Sequence, residues 1–214
     1  MKNTLIYILA ILLSFGCSSR NKKPPENTRV DTEVLMLDSI ATLYHSGDFD
    51  NCIRLGIKFT IDYPNNDRGW HLLSSSYLAK GRDSIAEVYA DKALQIDSSN
   101  HIALTNKGIL LDKKKKYDEA VVFYKKSLKI NNRLAQTYSN YMVNRIRDAD
   151  YAYAVDLGEK ALKYENNIWD KANLCFAYHK IGKITRRDSL LKELKDIGFE
   201  KLESLEETMF GNSE

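Results

Sequence analysis

From residue 33 onward the apolar positions fall three and four residues apart, the spacing that lines one face of an α-helix. In HIALTNKGILLDKKKKYDEAVVFYKKSLKINNRL, residues 101–134, Tyr117, Ala120, Tyr124 and Ser127 keep that rhythm, and the lysines 113–116 separate them from an earlier apolar stretch. Two amphipathic helices joined by a turn are predicted for this block. The same layout returns every 34 residues, with cuts at 33, 67, 101, 135 and 169, and a period of that size marks stacked helical repeats. One helix pair cannot bury its apolar side alone, whereas a stack can. Three prolines and ten glycines in 214 residues leave long helices uninterrupted. The expected fold class is all-α.

With each block numbered 1 to 34, block 101–134 has Gly108 at position 8, Leu111 at 11, Tyr117 at 17, Ala120 at 20, Tyr124 at 24 and Ser127 at 27. Block 67–100 has Trp70, Leu73, Tyr77, Gly81, Ala86, Ala90 and Ala93 at 4, 7, 11, 15, 20, 24 and 27. Block 135–168 has Tyr138, Tyr141, Ala154, Gly158 and Ala161 at 4, 7, 20, 24 and 27, and block 33–66 has Leu43, Gly47, Cys52, Gly56 and Phe59 at 11, 15, 20, 24 and 27. This pattern resembles the tetratricopeptide repeat (TPR), in which small residues let paired helices approach closely. The resemblance implies a right-handed solenoid of about five helix-turn-helix repeats over residues 32–199, closed by a capping helix and polar tail at 200–214. Ser39 and Ile40 reverse the usual large and small order at positions 7 and 8, which predicts irregular packing of the first helix. In block 169–199 Gly182 comes one residue early and Arg187 or Asp188 falls near a small-residue place, so that block reads as degenerate.

The first seventeen residues, MKNTLIYILAILLSFGC, carry one lysine, an apolar run from Leu5 to Phe15, and then Gly16 and Cys17. That is the layout of a signal peptide, with a run too short to cross a bilayer, which takes roughly 20 residues. Its end resembles the lipobox of bacterial lipoproteins, although Ser14 stands where that family usually has leucine. The resemblance implies lipid attachment, such as palmitate, at Cys17, and Ser18 after it implies the outer membrane, facing the periplasm. A plain secretory signal with an incidental cysteine is the alternative. Residues 18–31 are polar, contain Pro24 and Pro25, and read as a flexible tether.

A formal charge of +3 from 32 basic and 29 acidic residues creates no global field for nucleic acid, and no aromatic residues interleave with the lysine run for base stacking. Lys113 to Lys116 are expected in a solvated turn; an anionic partner or membrane surface is the alternative, because Lys125, Lys126 and Lys129 continue the basic character. His45, His71, His101 and His179 fall in different blocks without ligand-spaced partners, and no HExxH, GxSxG, CxxC or phosphate loop occurs. No enzyme activity, cofactor or metal is expected. Cys52 and Cys175 occupy core-type positions separated by three repeats, too far for a disulfide, and are expected as buried free thiols.

The TPR resemblance further implies a concave groove lined by positions 2, 5, 6, 9, 12 and 13 of each first helix. Position 5 reads Leu37, His71, Thr105, Ser139 and Asn173, and position 9 holds no asparagine, so the lysine and asparagine clamp used by some members for chaperone tails is absent. Asn106 and Asn140 share position 6, where some TPR superhelices hold a peptide main chain. Ile102, Ile109, Val143 and Ile146 lie beside them, with Lys113 and Arg147 at the rim and His71 one repeat earlier. These residues define the expected partner-binding groove. The functional expectation is a membrane-tethered, non-catalytic scaffold for a protein or peptide partner in the cell envelope. Self-association, or glycan and small-ligand binding, are the alternatives.

Overall fold

A computed structural model describes residues 26–210. Those residues contain eleven α-helices and no strand: α1 (Glu26–His45), α2 (Phe49–Asp62), α3 (Asp67–Ala79), α4 (Asp83–Ile96), α5 (His101–Lys113), α6 (Tyr117–Ile130), α7 (Ala135–Arg147), α8 (Tyr151–Tyr164), α9 (Ile168–Lys180), α10 (Ile184–Asp196) and α11 (Leu202–Phe210). The chain divides into two units, Met1–Leu35 and Met36–Glu214, and the repeats belong to the second. The signal-peptide segment and Cys17 lie outside the described residues, and of the tether only the start of α1 is described.

The expected all-α class and TPR-type solenoid are what the structure has. Helix starts are set by side-chain caps at Asp48, Asn66, Asn100, Asp150 and Asn167, each accepting from a backbone N–H of the first turn. Every turn within a repeat closes in one way. A residue at positive φ follows the first helix, and the next N–H reaches back five residues, as from Arg82 to the Tyr77 carbonyl at 2.8 Å, Lys116 to Leu111 at 2.9 Å and Asp150 to Arg145 at 2.9 Å. Glycine fills the left-handed position at 47, 81 and 182, but Lys115 (φ 61°) and Ala149 (φ 57°) fill it in repeats three and four. A Cβ there is strained, so Lys115→Gly and Ala149→Gly are each expected to raise unfolding stability by about 0.5–1 kcal/mol in urea titrations. A loss in both variants would show that the strain is absent.

Position 15 also settles the register of the fifth repeat. The connection between α8 and α9 is one residue shorter than each of the three earlier connections between repeats, so α9 begins at Ile168. Counted from 168, Gly182 returns to position 15, Cys175 to the small place at 8, Tyr178 to 11 and Leu194 to 27. Gly182 is therefore not early; the connection has lost a residue. Arg187 still occupies the small place at 20. Beyond α10, Phe199 and Met209 close over Ala172, Cys175 and Leu194, so the turn into α11 and α11 itself cover the last repeat's apolar side.

Pairing within repeats conserves volume in two ways. Repeat three sets Gly108 at position 8 against Tyr124 at 24, while repeat four sets Met142 at 8 against Gly158 at 24. In repeat one Ile40 at 8 is fully buried, and Gly56 at 24 makes room for Leu73 of the next repeat, whose Cδ2 would stand 2.8 Å from a Cβ there.

Candidate functional site

The first helices α3, α5 and α7 carry the sequence-predicted site residues, and the structure sorts these into two groups. Ile102, Ile109, Asn140, Val143 and Ile146 are half-buried, and Lys113 and Arg147 are exposed. His71 and Asn106 are buried instead. Asn106 donates its amide to Ser74 Oγ at 3.1 Å and Ser75 Oγ at 2.9 Å, the residues at positions 8 and 9 of the preceding repeat. It is an inter-repeat tie rather than an open groove amide.

His71 is held by Asn100, whose amide donates to Nδ1 at 2.8 Å while its carbonyl oxygen caps α5 at the Ala103 N–H. Burial, with help from the positive charge of Arg68 and the nearby His101, pushes the imidazole down to about 4. The neutral ring therefore belongs to the fold. Between the ordinary value of 6.5 and about 4 the unfolded chain binds the extra proton, so stability falls as pH falls through that window. The expected loss is about 3 kcal/mol, read from urea midpoints at pH 7 and pH 4. His71→Gln should flatten that part of the profile, and an unchanged slope would assign the acid sensitivity to other groups.

Asn140 meets a different surface. Its counterparts to Ser74 and Ser75 are Gly108 and Ile109, which offer no side-chain acceptor, and the Asn140 side chain makes no hydrogen bond to a described residue. The corrected register adds a residue that the sequence alone placed at position 5: Asn173 falls at position 6 once repeat five starts at 168. It is half-buried, it faces Met142 and Val143 at the corresponding places, and it too has no partner among the described residues. Its signal was the early Gly182. The same shift places Trp169 at 2 and Phe176 at 9, so the last part of this face is aromatic. Asn173 and Phe176 line a cleft of about 330 Å³. A second cleft of about 270 Å³ includes Ile102, Asn106, Gln136 and Tyr164.

The lysine turn is a lattice of ion pairs. Lys113 reaches Asp83 at 2.6 Å, Lys114 reaches Glu87 at 2.6 Å, and Lys116 reaches Glu119 at 2.9 Å. Lys107 adds contacts to Glu87 and Asp91, and the hydrogen bond from Lys114, followed by that from Lys107, holds the Glu87 carboxyl below its usual range. Each exposed pair contributes only about 0–1 kcal/mol. Their arrangement still explains the run, since three of the four lysines have carboxylate partners on α4 or α6.

Cys52 and Cys175 are buried free thiols, as expected. Burial pushes the Cys175 thiol up to about 11, which leaves it inert as a nucleophile at neutral pH. Among the described residues there is no group of three metal-ligating side chains, and no helix is long and apolar enough to cross a membrane.

Known proteins agree with this geometry. Residues 67–100 and 101–139 each match a family model of the tetratricopeptide repeat, so this part of the chain consists of TPR repeats. Anaphase-promoting complex subunit 3 of Schizosaccharomyces pombe is 29% identical over 140 residues, covering 64% of this chain and 20% of that protein. The chain thus spans about one fifth of the curated relative it matches. Among solved structures, Pseudomonas aeruginosa PilF superposes with a TM-score of 0.66 at 15% identity, over 87% of this chain and 95% of that one. YrrB, described as a TPR protein with an unusual peptide-binding site, superposes with a TM-score of 0.54 at 12% identity, over 77% and 86% of the two chains. At those identities the structures show a shared fold.

Proposed function

We propose that this chain is a non-catalytic scaffold that holds an extended segment of a protein partner along the open face of its first helices, tethered to the bacterial outer membrane by a lipid on Cys17. The observation that carries the reading is the pair of side-chain amides on Asn140 and Asn173, one repeat apart, half-buried and without hydrogen-bond partners among the described residues. An amide side chain donates and accepts at once, which matches a peptide main chain. Ile109, Val143, Ile146 and Phe176 lie on the same run of positions and present apolar surface that a partner would cover. The TPR fold is typical of interaction scaffolds, and the peptide site described for YrrB supports the same use here. The lipid tether rests on the Gly16-Cys17 ending of the apolar leader.

The test is in-cell crosslinking with a C-terminal tag, comparing the native chain with an Asn140→Ala, Val143→Asp, Asn173→Ala variant whose helicity is first checked by circular dichroism. Selective loss of one or two envelope proteins from the variant is the expected result. Identical captures would sink the groove reading. In parallel, Cys17→Ala should abolish labelling by a palmitate analogue and release the protein from the membrane fraction, and retained labelling would remove the tether from the proposal.

A further inference from the structure

We infer that the cleft at the C-terminal end of the array is a specificity pocket for a bulky apolar side chain flanked by carboxylates, within the peptide that the groove holds. This deepens the reading of the groove as a peptide site and rests on it. The pocket is built by three helices and the turn before α11. Ile146 comes from α7, Trp169, Asn173 and Phe176 from α9, Phe199 from the turn, and Leu205 from α11. Its volume of about 330 Å³ suits part of an extended segment, and its walls are aromatic and aliphatic on several sides. Trp169 remains 46% exposed although its edge packs on Phe199, with ring centroids 5.1 Å apart.

The charge at the pocket has one sign. Lys201 lines it and sits 5.5 Å from the Trp169 ring centroid, and Lys180 sits 5.2 Å from that of Phe176. Neither lysine forms an ion pair with a described residue, and no carboxylate lines the pocket. From α11 the lining residues are Ser204, Leu205 and Thr208, while Glu203, Glu206 and Glu207 are not among them. An acidic segment would meet two uncompensated cations, a partnerless amide at Asn173 and an apolar cavity, whereas a basic segment would meet repulsion. A sugar is the poorer fit. One face of Trp169 carries Lys201, and carboxylate acceptors for sugar hydroxyls are missing from the walls.

The test uses the full chain in detergent and four labelled peptides of one length, with phenylalanine or alanine at the centre and aspartate or lysine on both sides. The acidic phenylalanine peptide should bind and shift tryptophan emission. The alanine and lysine peptides should bind at least about tenfold more weakly, and Lys201→Glu should cost the acidic peptide about tenfold. Leu205→Asp should remove the preference for phenylalanine while leaving the helical signal intact. Equal binding of the four peptides, no binding of any, or an unchanged affinity in Lys201→Glu overturns the pocket. Emission shifted by a chitin tetrasaccharide, with none of the peptides bound, would assign the cleft to sugars. Loss of the crosslinked partners in the Asn140, Val143 and Asn173 variant, with Lys201→Glu silent on peptides, would retain the groove and discard the pocket.

Discussion

Gly108→Ala is expected to lower the stability of the array by about 1–3 kcal/mol, although an exposed helical site would gain about 1 kcal/mol from the same change. A Cβ on Gly108 would stand 2.5 Å from Cε1, 2.8 Å from Cδ1 and 2.9 Å from Cζ of Tyr124. One of the two helices, or the ring, must move. The ring is poorly free to do so, because Tyr124 is fully buried and its hydroxyl donates to Asp112 Oδ2 at 2.8 Å. Retreat would break that bond inside the core and leave a buried carboxylate short of a donor. The opposite signs of propensity and packing make the urea midpoint decisive. Tyr124→Leu alone should destabilise by leaving a cavity, yet combined with Gly108→Ala the losses should be less than additive, since each change makes room for the other. A Gly108→Ala protein as stable as the native chain would mean that α5 and α6 are not in close contact at this level.

Close approach of this kind was legible because it is local and periodic. Small residues at 20 and 27 recur at 34-residue intervals through repeats two to four, so Ala86, Ala120 and Ala154 announce the helix pairs in the sequence, while the pairing of a large with a small residue at 8 and 24 holds in repeats three and four. The register of repeat five was less legible. A single missing residue in a connection shifts every later assignment, and only Gly182, displaced by one, recorded it. The state of the position-6 asparagines could not be read from their own repeats at all. Asn106 is buried because Ser74 and Ser75 supply hydroxyls from the preceding repeat, whereas Asn140 meets Gly108 and Ile109. Whether an amide is a structural tie or a free hand depends on residues about thirty positions away, which the repeat pattern leaves variable. The lysine turn followed the same logic, since its acidic partners Asp83 and Glu87 belong to the neighbouring repeat.

Asp112→Ala is expected to cost about 2–4 kcal/mol and to loosen repeats three and four from each other. Asp112 accepts from Tyr124 in its own repeat through Oδ2 and from Asn144 Nδ2 in the next through Oδ1, at 2.8 and 2.6 Å. Asn144 is fully buried, donates also to the Tyr117 carbonyl at 3.1 Å, and accepts from Arg145 Nε at 2.8 Å and Nη2 at 2.6 Å. Arg145 in turn pairs with Asp148 at 2.9 Å. Removing the carboxylate strands two buried donors at the centre of this chain. Burial already pushes the Asp112 carboxyl above its usual range, against the pull of the Asn144 and Tyr124 hydrogen bonds, so those bonds offset a cost of placement that the fold bears at neutral pH. Asn144→Ala should lose a similar amount, and the double variant should lose clearly less than the sum, with a coupling of about 1–2 kcal/mol. In a linear array each interface is a separate term. Weakening the one between repeats three and four should therefore split a single cooperative transition into two, with residues 36–130 and 135–210 exchanging amide hydrogens at different free energies. Additive losses, together with a transition that stays single, would show that the polar chain between Tyr124 and Asp148 is incidental to how the repeats hold together.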